Sequence, residues 1–145
     1  MPPNAPIYEQ DFVAWLDDQA ERARRGDTEG LDLENIAEEL EGMARSDRRE
    51  IRNRLTVLLL HLLKYEFQPR RRSRGWRATI AEQRRRLATV IDDSPSLQQF
   101  PAGIIERCYA DARAQAALES GLPRTVLPEV CPYRIEQVLD SAWLP

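Results

Sequence analysis

His61 is the one histidine in the chain, and histidine is the side chain whose ordinary pKa lets it trade a proton near neutral pH. At helical spacing it shares a face with Arg54, Val57 and Tyr65. To act as a general base or a metal ligand it needs carboxylates beside it, and Glu38 and Glu39, supplied by an antiparallel neighbouring helix, are the candidates for such a polar site. Zinc and iron usually take three or four protein ligands, and no HxxxH, ExxH or CxxC spacing accompanies His61, so neither a metal nor a cofactor is expected. A structural, hydrogen-bonded histidine is the simpler expectation. Glu34, Glu38 and Glu41 fall at i, i+4, i+7 and read as one solvated or salt-bridged acidic stripe rather than paired catalytic carboxylates. The sequence has no GxSxG, P-loop or GxGxxG, so it offers no catalytic residue and no small-molecule ligand.

The second chemically distinctive segment is basic. Arg70, Arg71, Arg72, Arg74 and Arg77 crowd a loop and the start of the helix after it, and Arg84-Arg85-Arg86 follow. Like charges packed this closely need something anionic opposite them, whether the acidic stripe, a protein partner or phosphate. A basic loop entering a helix also brings the donors and positive dipole end of a helix N-terminus. No helix-turn-helix, RRM or zinc-finger pattern accompanies it. On the helical wheel Arg77 and Arg84 flank one edge of the apolar stripe that begins at Trp76, Arg86 flanks the other edge, and Arg85 points away.

The charge is segregated along the chain. Residues 1–44 hold three Arg and 12 acids, residues 45–86 hold 14 Lys or Arg and four acids, and residues 87–145 hold four and eight. The blocks therefore carry −9, +10 and −4, summing to the net −3. Such segregation suits neutralisation inside the chain or recognition of an oppositely charged partner.

These groups need elements to hold them. At 145 residues, 42% hydrophobic and 31% charged, the chain has the length and apolar content of one globular domain, 1–145, without a staple. The longest apolar run, Leu55 to Leu63, is far short of a membrane span. The first residues lack a basic start and an apolar h-region, so a cytoplasmic location is expected. Residues 1–7 are expected to be disordered or extended. Cys108 and Cys131 are too few for a disulfide framework and are expected as thiols.

The spacing of Tyr8, Phe12, Trp15, Leu16, Gln19 and Ala23 predicts a helix over Tyr8 to Arg25, ended by Gly26. Asp32 is an N-cap for a helix whose stripe is Leu33, Ile36, Leu40 and Met43. Asp47-Arg48-Arg49-Glu50 resembles a capping box, so residues 32–67 form either one helix or two. Ile51 to Leu63 is apolar nearly all round and marks a central helix. Further helices are predicted over Trp76 to Ile91 and Ala102 to Ser120, with Gly121 as C-cap. After a Pro-rich segment a short last helix has Pro132 at its first position, and Trp143-Leu144-Pro145 forms an apolar tuck. With no alternating strand pair, the fold class is all-α, a four- or five-helix bundle.

Tyr8-Glu-Gln-Asp-Phe-Val-Ala-Trp-Leu16, Leu31-Asp-Leu-Glu-Asn-Ile-Ala-Glu-Glu-Leu40, His61-Leu-Leu-Lys-Tyr65 with Gln68-Pro69, Trp76-Arg-Ala-Thr-Ile80 and Cys131-Pro-Tyr133 together resemble the bacterial family called domain of unknown function twenty-nine. The resemblance runs from Tyr8 to Pro145. It implies an all-helical fold and brings no catalytic residues. The expected role is a non-enzymatic helical interaction module, recognising a protein partner or its own copy as a homodimer. The alternatives are nucleic-acid or polyanion binding through Arg70, Arg71, Arg72, Arg74 and Arg77, and an enzyme centred on His61.

Overall fold

Asp11 starts the first helix, α1 (Phe12–Arg25), by accepting the Ala14 N–H on its side chain at 3.1 Å. The helix therefore begins after Tyr8, which lies in a preceding turn, because a side chain that caps the backbone competes with continuing the helix toward the N-terminus. Gly26 closes it in the left-handed region at φ 74°, a conformation that costs glycine nothing. The computed structural model describes residues 7–145, so the expectation for residues 1–6 lies outside the described residues, and Ile7 is exposed and irregular.

Asp32 caps the next helix through the Asn35 N–H, and α2 (Leu33–Phe67) then runs unbroken for 35 residues. The capping-box pattern at Asp47 does not interrupt it. Ion pairs at i, i+4 spacing, Arg45 with Glu41 at 3.8 Å and Arg54 with Glu50 at 2.9 Å, support the helix on both sides of that polar stretch. A 3-10 turn over Pro69–Arg71 leads to Ser73, whose hydroxyl caps α3 (Arg74–Asp93) by accepting from the Trp76 N–H at 3.1 Å. α4 (Phe100–Ser120) ends at Gly121, φ 72°. The last helix, α5 (Ile135–Leu139), has one turn and a half. Pro132 is not its first residue. Arg134 stands at the N-cap, and its N–H is satisfied by the Gln137 side chain at 3.0 Å. The described residues are all-α, with four long helices and one short one and no strand.

The chain packs as two compact units, Met1–Arg45 and Ser46–Pro145. In the second unit Ile51, Leu55, Leu58, Leu59, Leu62 and Leu63 of α2 are fully buried against Ile80 and Leu87 of α3, Cys108, Tyr109 and Ala112 of α4, and Val138 of α5. An α2 segment apolar on nearly every side is thus the axis of a bundle, as its composition predicts. Trp143 packs edge-on against Tyr133, ring centres 5.5 Å apart, while Leu144 stays exposed, so the terminal tuck rests on the tryptophan.

In the first unit a polar network replaces a large core. Trp15, 1% exposed, donates its indole N–H to Asp32 at 3.1 Å, and the Asp32 N–H is accepted by the Gln19 side chain at 2.7 Å. Arg22 is buried between Asp18 at 2.8 Å and Asp27 at 2.9 Å. The hydrogen bond to Asp18 and the charges of both acids raise its pKa. A Cβ on Gly30 would come within 2.3 Å of the Arg22 guanidinium, so a larger residue there makes that side chain shift.

Candidate functional site

The basic loop is only partly tied down. Arg72 lies 4.3 Å over the Tyr65 ring and donates Nε–H to the Tyr65 carbonyl at 2.7 Å. Arg70 and Arg71 are exposed and line an open cleft of about 360 Å³ with Phe67, Gln68, Pro69, Ser120 and Leu122. Arg74 opens α3 and Arg77 lies one turn on, both exposed. Among the described residues none of these five arginines forms an ion pair. Within the first unit Glu38 and Glu41 are paired with Arg45, at 3.6 and 3.8 Å.

The second run of arginines has internal partners. Arg85 and Arg86 both bind Glu82, at 2.8 and 2.5 Å, and hydrogen bonds from Arg86 first and Arg85 second hold the Glu82 carboxyl down to about 2. Arg84 is buried and donates to the Val138 carbonyl at 2.8 Å and the Gln137 carbonyl at 3.4 Å. Trp76 is half-buried beneath the Lys64 ammonium, 4.9 Å from its ring centre.

His61 and the two glutamates are not brought together as antiparallel partners, because all three stand on the single helix α2. Glu39 accepts from the Tyr8 hydroxyl instead. His61 Nδ1 bonds the Val57 carbonyl one turn back at 2.9 Å, and Lys64 nearby is paired with Glu119 at 3.1 Å. Burial first, and the Lys64 charge as well, push the imidazole pKa below its ordinary value. The contact to Val57 occupies Nδ1 and fixes the orientation of the ring. Among the described residues no three His, Cys, Asp or Glu side chains are grouped to hold a metal.

The stripe that periodicity predicts at the start of α2 is largely exposed. Leu33, Leu40 and Met43 of α2 are 65%, 61% and 67% exposed, and Phe12, Val13 and Leu16 of α1 are exposed as well. With Ile7 they make seven of the eleven exposed large hydrophobics among the described residues, all in the first unit. Trp15, Leu16, Ala20 and Ala23 of α1 face Ile36, Leu40 and Met43 of α2 across a groove of about 260 Å³. Helical spacing reports which residues share a face but not whether another element covers it. A short two-helix unit with two apolar stripes and an acidic remainder was the signal that one face stays open.

The model of the family described as domain of unknown function DUF29 matches residues 7–144. Comparison with curated proteins and with solved structures finds no match.

Proposed function

Because the chain belongs to the DUF29 family, whose function is unknown, we propose from its surface that it is a non-enzymatic helical interaction module that docks a protein partner on the groove between α1 and the first turns of α2. The observation that carries this reading is the exposure of Leu33, Leu40 and Met43 beside Leu16. A contiguous apolar surface costs free energy in water, and on a folded domain it marks a site that another molecule covers. The bonded, half-buried state of His61 supports a binding role over catalysis. The cytoplasm, where Cys108 and Cys131 remain thiols, is the compartment that fits this reading. None of the described helices is long and apolar enough to cross a membrane.

A photo-crosslinking side chain placed at Ala20 or Leu40 tests this in living cells. Discrete adducts from these positions, absent when the probe stands at exposed Arg107, support the reading; equal yields from all three positions overturn it.

A second reading, nucleic-acid binding, is favoured by the unpaired state of Arg70, Arg71, Arg74 and Arg77 among the described residues. If about six phosphates are neutralised, affinity for duplex DNA falls roughly a thousandfold between about 50 and 200 mM salt. An Arg71→Ala, Arg72→Ala, Arg74→Ala variant abolishes that binding with its helicity unchanged. The absence of salt-sensitive binding to unrelated DNA and RNA removes this reading.

A further inference from the structure

We propose that the occupant of the α1–α2 groove is a basic amphipathic helix of another protein, a statement that rests on the docking reading above and adds the partner's chemistry to it. The groove has the form that receives a helix. Its walls repeat at helical spacing, Leu16, Ala20 and Ala23 on one side and Ile36, Leu40 and Met43 on the other. From Leu33 to Met43 the apolar stripe extends about 15 Å at the α-helical rise, enough for roughly three turns of a partner helix. Ala20 and Ala23 are small enough for a partner backbone to come close, and the unbranched Met43 adapts its shape to what docks.

The charge selects the partner's sign. Residues 1–44, which supply both walls of the groove, carry −9. At 100° per residue Asp17 follows exposed Val13 at the edge of the apolar face of α1, on the side shared with Arg24. Asp17 has no ion pair among the described residues. Glu39 lines the groove itself. A partner with Lys or Arg flanking a Leu-rich face satisfies both the apolar floor and the negative charge of the segment that forms it.

A second copy of this chain fits poorly in either arrangement. Meeting itself about a two-fold axis, the groove sets the same acids opposite one another. Offering its own basic helix α3 instead, the copy has no free apolar face, since Ile80 and Leu87 are 1% exposed in its core.

Three synthetic helical peptides of about 15 residues, with a Leu face and Lys, Gln or Glu elsewhere, are titrated against the full chain by fluorescence anisotropy, alongside sedimentation velocity of the chain alone. The Lys peptide is expected to bind at least about tenfold tighter than the Gln peptide, and the Glu peptide weakest. A Leu40→Ser, Met43→Ser variant, altered only at exposed positions, loses Lys-peptide binding by a similar factor, and about 1 M salt, which screens charges beyond roughly 3 Å, removes the preference for Lys. Equal binding of the Lys and Gln peptides, or preference for Glu, overturns the basic partner while leaving the docking groove in place. If no peptide binds, or the serine variant binds unchanged, the docking reading itself falls. A concentration-dependent dimer that the serine variant dissolves makes the second copy the occupant and overturns the proposal.

Discussion

Arg72 holds Tyr65 twice: its guanidinium stacks 4.3 Å from the ring centre, and its Nε–H donates to the same residue's carbonyl at 2.7 Å. The basic loop is therefore pinned to the end of α2 by the one arginine of the cluster that has a backbone acceptor. Lysine keeps the charge but has neither the planar fork nor the flat stacking surface. Arg72→Lys is expected to cost about 0.5–1 kcal/mol, read as a lower urea midpoint with an unchanged m-value. An unchanged midpoint would show that the stack contributes nothing in solution.

Leu58 is fully buried and Leu118 is 84% exposed, although both belong to long helices. Leu58→Ala is expected to destabilise by about 2–5 kcal/mol, through lost burial and the cavity left behind. Leu118→Ala should stay within about 0.5 kcal/mol of the parent. Chemical denaturation followed by circular dichroism checks both, and similar losses at the two sites would contradict the bundle core.

Arg84 is nearly buried, and it ties α3 to the end of α5 through the Val138 and Gln137 carbonyls. Methionine at this position keeps much of the aliphatic stem but leaves those acceptors without their donor, at a cost of about 1–3 kcal/mol. The loss should appear first at the C-terminal tail, as faster amide exchange around Val138 than in α2. Uniform loosening of the whole unit would mean that the tail and bundle open together.

Burial depresses the folded-state pKa of His61, and the nearby Lys64 charge acts in the same direction, with the Val57 carbonyl and Glu119 opposing. The unfolded chain therefore binds the proton more readily than the folded one. Stability associated with the neutral ring is fully present above the unfolded value of about 6.5 and is lost as pH falls through the lower folded value. His61→Gln should flatten the stability profile on the acid side of pH 6.5. An NMR titration giving His61 a pKa at or above that ordinary value would contradict the burial seen here.

Much of the architecture can be read from local chemistry. Gly26 and Gly121 end α1 and α4 where glycine can take positive φ, and the all-apolar stretch from Ile51 to Leu63 becomes the central helix. These features are legible because each depends on one residue's backbone freedom or on burial from all sides. The start of the last helix was not legible from Pro132, since proline fits a first helical position and an extended loop equally well. The Leu33, Leu40 and Met43 stripe was legible as a face, but its exposure depends on which elements lie nearby, which no spacing along one helix encodes. The same limit applies to the arginines. Arg84, Arg85 and Arg86 are neighbours in sequence, yet one is buried against tail carbonyls while two share Glu82 at the surface.

The Pro-rich tail between α4 and α5 is held by donors that reach its main chain: the Tyr109 hydroxyl to the Pro128 carbonyl, and Arg113 to the carbonyls of Arg124 at 2.9 Å and Leu127 at 3.3 Å. A carbonyl is present whatever residue carries it. These anchors impose a path on the segment while asking little of its side chains, apart from buried Leu127 and Tyr133. The tail is thus free to drift in composition without changing its course, and mutational tolerance should be high at exposed Glu129 and Val130 and low at Tyr109 and Arg113, which supply the donors.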